Sequence, residues 1–275
     1  MTITTAKNFA VELFRRFSAH RVPDLAAQLS YYFLLALFPF LIFTFTLLPY
    51  TPLASEDVLE LIAQYIPLDS MEIVERNVRN ILEVERGGLL SVSIIAAMWS
   101  ASNGSYAVIR ALNHAYDVEE SRSFIKARLV AFMLMLALLL TILIALILPV
   151  FGRSLGIFLF SFMGMSETFL ALWDAFRWII SFTVIFIVFS FLYLVAPNRS
   201  MSPSQVWVGA LVATIGWQLI SLGFSYYISN FSNYSATYGS LGGVIILLLW
   251  LFLMGMLIIL GGEINATREV LSKKK

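Results

Sequence analysis

Long uncharged apolar runs constrain this chain more than any other feature. Segments near 27–48, 129–150, 176–196, 206–228 and 241–262 each supply about 20 mainly apolar residues, the length that carries an α-helix across a bilayer core. A run near 88–110 is richer in Ser, Ala and Gly, and those small residues let helices approach closely inside a membrane bundle. It is read as a sixth span. Composition agrees: 60% of residues are hydrophobic and 13% charged, whereas soluble domains carry about 25% charged residues. With no cysteine, the 275-residue chain has no disulfide, thiolate metal site or cysteine nucleophile. A net charge of +1 exerts no global pull toward nucleic acid.

Charge sets the expected topology. Six spans with both termini cytoplasmic place 13 of the 18 basic residues on the inner side, leaving Arg76, Arg79, Arg86, Arg153 and Arg177 outside. A seventh span through 155–172 would move Arg199 and the C-terminal lysines outward, against the positive-inside rule. The stretch 155–172 therefore reads as interfacial or re-entrant. Residues 1–26 form a cytoplasmic amphipathic segment, with Phe9, Leu13 and Phe17 at helical spacing among Lys7, Arg15, Arg16 and Arg21. It either lies on the membrane surface or packs against its own domain. Residues 51–87 carry two apolar stripes separated at Pro67, with Asp69 and Glu72 at capping-box spacing, and read as short external amphipathic helices. The expected fold is all-α: one polytopic membrane domain over 1–275, with 263–275 as a cytoplasmic tail.

Chemistry for an enzyme is sparse. There are two histidines, His20 and His114, with no H-E-x-x-H, nucleophile elbow or P-loop. Asp117, Glu119 and Glu120 beside Arg122 and Lys126 read as a solvated face. The expectation is a protein without enzymatic activity, metal or cofactor, partnered by the lipid bilayer and a small solute or lipid, with no nucleic-acid partner.

Polar residues in costly positions remain. Ser93, Ala96, Ser100, Asn103, Ala107 and Arg110 recur at steps of three or four along the second span, and Asn113 follows. Such a stripe is either a helix-packing seam or the wall of a cavity. Glycine pairs flank the last span, and Glu263 and Asn265 fall at its inner boundary. Gln28 lies at the inner start of the first span. Arg110 and Glu263 occupy the same depth under this topology, so a pairing between them, direct or through Gln28, Asn113 or water, is expected. Gln28, Ser100, Asn103, Arg110, Asn113, Glu263 and Asn265 are the cavity or substrate candidates.

Three stretches, AAQLSYYFLLALFPFLIF (26–43), WSASNGSYAVIRALNHAYDVEESRSF (99–124) and WLFLMGMLIILGGEINA (250–266), resemble the YihY/BrkB family of bacterial inner-membrane proteins. The resemblance implies six membrane helices, cytoplasmic termini and residence in the inner membrane. Members of that family have carried a ribonuclease BN label, and serum resistance, envelope lipid export and solute movement have been linked to it. The residues and the resemblance together lead to a transporter, permease or lipid translocator for an anionic or zwitterionic solute or headgroup, using a polar cavity between the first, second and sixth spans. The alternative is a non-transporting membrane scaffold or envelope assembly factor.

Overall fold

The structure, a computed structural model, describes residues 3–50, 87–140, 167–230 and 241–273. All regular elements among them are helical: α1 (Ile3–Ala19), α2 (Val22–Leu47) with a 3₁₀ turn at Leu48–Tyr50, α3 (Gly87–Ala115), α4 (residues 124–140), α5 (Glu167–Val195), α6 (Pro203–Asn230) and α7 (Leu241–Lys273). Five of these, α2, α3, α5, α6 and α7, are long and apolar enough to cross a membrane. The expected span 129–150 begins inside α4, and its residues 141–150 lie outside the described residues, as do the expected external helices of 51–87 up to residue 86 and most of 155–172.

Local chemistry accounts for the helix boundaries. The chain leaves α1 through His20 and Arg21, the latter with φ 50°, a left-handed conformation that a non-glycine residue adopts at a cost. Helix α2 then opens with Pro23 and Asp24 in its first turn, where a missing N–H is harmless and a negative charge faces the positive end of the helix dipole. Pro39 lies inside α2, removing one rung of its hydrogen-bond ladder. Glu167, within the stretch read from sequence as interfacial or re-entrant, is the first residue of α5. Helix α6 starts at Pro203, with the Gln205 side chain accepting from the Ser202 amide at 2.8 Å, half of a capping box. The segment expected as a tail from 263 continues α7 to Lys273, and residues 261–267 are all buried.

Two compact units divide the described chain. In the first, Met1–Tyr31 with Gly104–Lys275, α7 packs on α6, α6 on α5, and α1 on α7. The α6–α7 seam is built on glycine. A Cβ on Gly209 would strike the Gly261 carbonyl and the Asn265 amide, and one on Gly261 would strike the Tyr193 ring, whose hydroxyl donates to the Ile258 carbonyl at 2.9 Å. Close backbone approach of this kind replaces hydrophobic driving force with packing in a lipid solvent. Of the two placements open for residues 1–26, the structure has α1 packed against its own domain, with Arg16 as its buried side chain while Val11 and Phe14 stay exposed.

The second unit, Tyr32–Asn103, holds the remaining lengths of α2 and α3. There the Thr46 and Ser93 hydroxyls meet at 3.1 Å, and Ser100 donates to the Leu35 carbonyl at 3.4 Å. The stripe read along α3 does not follow its buried face, because Ala96 and Arg110 are both exposed.

Candidate functional site

Glu263 is completely buried on α7. A carboxylate there is tolerable only with partners, since desolvating an ion costs several kcal/mol. The partners come from α1. Arg16 Nε donates to Oε2 at 3.1 Å, and His20 Nδ1 meets Oε1 at 2.5 Å. Spacing explains the pair: residues 16 and 20 are four apart, so both project from one face of α1 toward the same carboxylate.

Both α1 side chains reach a second anchor. Arg16 Nη2 donates to the Ala115 carbonyl at 2.6 Å and to Asp117 Oδ2 at 3.0 Å. His20 Nε2 lies 3.3 Å from Asp117 Oδ1, and the His20 and His114 rings are 4.7 Å apart. Ala115 is the last residue of α3, where carbonyls lack intrahelical partners and the dipole is negative; a guanidinium suits both conditions. Asp117 adopts φ 54°, a conformation that Asp tolerates better than most residues, and this turns its carboxylate back toward α1. A neutral imidazole carries one N–H, whereas an imidazolium carries two and can donate to both carboxylates. The group runs from a fully buried carboxylate to one that is 62% exposed.

A neighbouring network fixes the turn that supplies Asp117. Asn113 Nδ2 donates to Glu120 at 2.9 Å while its Oδ1 accepts the Asn198 amide at 2.7 Å. Arg122 binds both oxygens of Glu120, at 2.7 and 2.6 Å, and donates to the Ala196 carbonyl just past the end of α5 at 2.8 Å. These bonds, the Arg122 guanidinium foremost, hold the Glu120 carboxyl below the usual carboxylate range despite partial burial. Beside it, burial pushes the Tyr116 phenol up, with the Arg199 guanidinium over its ring at 5.3 Å. Arg199 in turn pairs with Glu269 of α7.

The Glu120 shift predicts acid sensitivity of this turn. A carboxylate whose folded pKa is depressed contributes stability that is complete above its unfolded value, near 4.3, and lost as pH falls through the folded one. Amide hydrogen-exchange protection over residues 116–123 is therefore expected to be level from neutral pH down to about 5, then to fall on further acidification. Glu120→Gln should flatten that acid limb. An unchanged acid limb in Glu120→Gln would assign the loss to another group.

Placement of the sequence candidates is uneven. Glu263 is at the centre. Its expected partner is corrected: Arg16 and His20 hold the carboxylate, while Arg110 is exposed with its guanidinium 5.5 Å from the Tyr106 ring. Of the expected bridging residues, Gln28 is exposed on α2 and Asn113 ties the Glu120 turn to Asn198. Asn265 is buried and accepts the Gly209 amide at 2.7 Å, which places it in the α6–α7 seam. Ser100 and Asn103 belong to the second unit. Arg16, His20 and Asp117 were not among the candidates. The usable signal was the i, i+4 spacing of a cation and one of two histidines on an amphipathic helix. Among the described residues, no three His, Asp or Glu side chains form a group that could hold a metal ion.

A helical chain with five membrane-length apolar helices and a buried charged group is a polytopic membrane protein. Residues 13–275 match the profile of the family described as Virulence factor BrkB, and the chain belongs to that family. It is 54% identical over 268 residues to YfkH of Bacillus subtilis (strain 168), a protein named as ribonuclease-like, covering 98% of this chain and 96% of that one. It is 27% identical over 256 residues to a UPF0761 membrane protein of Pseudoalteromonas atlantica, covering 89% of this chain and 80% of the relative. No solved structure matches.

Proposed function

We propose that this protein is a transporter, permease or lipid translocator for an anionic or zwitterionic solute or headgroup. It would reside in the bacterial inner membrane with both termini cytoplasmic and act without an enzymatic step, a cofactor or a nucleic-acid partner. The observation that carries the reading is the Arg16–His20–Asp117–Glu263 group. Ionisable side chains are rare and expensive in membrane helices, and where they are kept they mark solute or proton routes more often than chance would allow. Here the charges extend from the buried Glu263 to the exposed Asp117, a gradation that suits an entrance. The basic excess expected on the termini side supports the orientation.

A second reading, a membrane scaffold, draws on the same residues. Glu263 has both oxygens engaged by α1, and Arg16 also binds the end of α3, as a purely structural clamp would. Reconstitution of the full chain into sealed vesicles separates the two. The transport reading expects movement of labelled anionic or zwitterionic lipids or solutes above the protein-free rate, and a lower rate in folded Glu263→Gln protein. Rates equal to empty vesicles across the panel favour the scaffold. RNA cleavage that tracks the purified chain and is abolished by substitutions in it would overturn both readings.

A further inference from the structure

A groove elsewhere in the first unit is independent of the charged group. It runs between α5 and α6, is open along one side, has a volume of about 400 Å³, and is lined by residues including Phe186, Ser190, Leu194, Pro203, Val206 and Trp207. That volume falls within the range of small-ligand sites, roughly 300–1,000 Å³. The walls are apolar apart from the Trp207 indole N–H and one hydroxyl. The Ser190 hydroxyl is buried and has no hydrogen-bond partner among the described residues. A serine in a membrane helix commonly satisfies itself on a carbonyl one turn back, as Thr214 does on Ala210 at 2.8 Å.

One cation lies beside a residue of the lining. The Arg268 guanidinium lies 5.5 Å from the centre of the Trp207 ring, and Trp207 lines the groove. Arg16, Arg122 and Arg199 each hold a carboxylate, but among the described residues Arg268 has neither a carboxylate nor any other acceptor for its five N–H donors. The adjacent acid, Glu269, is taken by Arg199 and Lys273. Beside Trp207 there is thus an uncommitted, planar donor suited to a phosphate and, among the described residues there, no free carboxylate to receive an ammonium.

We propose that this is a binding site for an anionic glycerophospholipid. The phosphate sits on Arg268 against Trp207, and an acyl chain fills the groove past Ser190. The site stands whether or not the chain moves cargo. It also differs from the general tendency of Trp and Arg to lie at a membrane interface, because it requires headgroup preference and groove occupancy together.

Native mass spectrometry of the purified full-length protein tests it, titrating phosphatidylglycerol against phosphatidylcholine of identical chains. Bound phosphatidylglycerol should exceed phosphatidylcholine several-fold. Arg268→Gln should bring the two to parity, and Ser190→Leu, which fills the groove, should lower both. Arg128→Gln should keep the preference, since that guanidinium lies over Tyr106 and Phe124, away from the groove. Free glycerol phosphate should not displace the lipid at equal concentration. Each variant is compared only after its melting temperature matches the parent, with Arg268→Lys as the second headgroup variant, expected to bind in between. Equal binding of the two lipids by the parent protein, an undiminished preference in Arg268→Gln, or unchanged binding in Ser190→Leu would overturn the proposal.

Discussion

Glu263→Ala is expected to destabilise the protein by about 3–5 kcal/mol, the usual cost of removing one partner from a buried pair. The substitution leaves Arg16, itself 5% exposed, and His20 facing a vacant site with no replacement anion, because Asp117 already occupies their other side. It also removes two bonds that tie α1 to α7. Glu263→Gln should cost less: the amide keeps the volume and one acceptor, so one of the two α1 bonds survives. Asp24→Ala provides the contrast. Its pair with Arg21 has side chains 59% and 79% exposed, and exposed pairs contribute about 0–1 kcal/mol. Thermal denaturation in detergent, compared across the three variants, checks the order. Equal small losses for Glu263→Ala and Asp24→Ala would remove the buried group from the account.

The second large effect is expected in the glycine seam, where its sign is the test. Exchanging Gly for Ala inside a helix is favourable by about 1 kcal/mol on propensity alone. Gly223 of α6 has open space around it, so Gly223→Ala should be neutral or stabilising. Gly209→Ala, on the same helix, should be destabilising by about 1–3 kcal/mol or more. The new methyl group would meet the Gly261 carbonyl, which is backbone and cannot rotate away, and the Asn265 amide, which would lose its bond to the Gly209 N–H. Gly261→Ala should behave likewise through the Tyr193 ring. The same sign for Gly209→Ala and Gly223→Ala would mean that the two helices do not approach as closely as described.

Much of this architecture was legible before any coordinates. Apolar length located α2, α3, α5, α6 and α7, because a bilayer demands about 20 residues and little else competes with that demand. The glycine pair at 261–262 and the acid at 263, at the inner boundary of the last span, stood out for the same reason: each is costly unless something answers it. What answers Glu263 was not legible. Arg110 and Arg16 carry the same charge, and depth alone could not separate them. The deciding fact is rotational. Near the end of α3 almost every position is buried, and Arg110 falls on the exposed ridge with His114, while Tyr106 one turn earlier receives its guanidinium. Reading 1–26 as either surface-lying or packed left Arg16 without a role. Asp117 was hidden differently, since a local acidic run looks solvated until a left-handed residue turns one carboxylate back toward another helix.

The most direct measurement of the central claim, that Glu263 and Arg16 form one energetic unit joining α1 to α7, is a double-mutant cycle with Arg16→Met, Glu263→Gln and the pair together. Each single variant should lose stability, and the double variant should lose less than the two losses combined, because neither leaves an uncompensated buried charge behind. A coupling energy of about 1–3 kcal/mol is the expected result. Additivity within about 0.5 kcal/mol would contradict the account, since residues in direct contact through a buried charge cannot behave as independent sites.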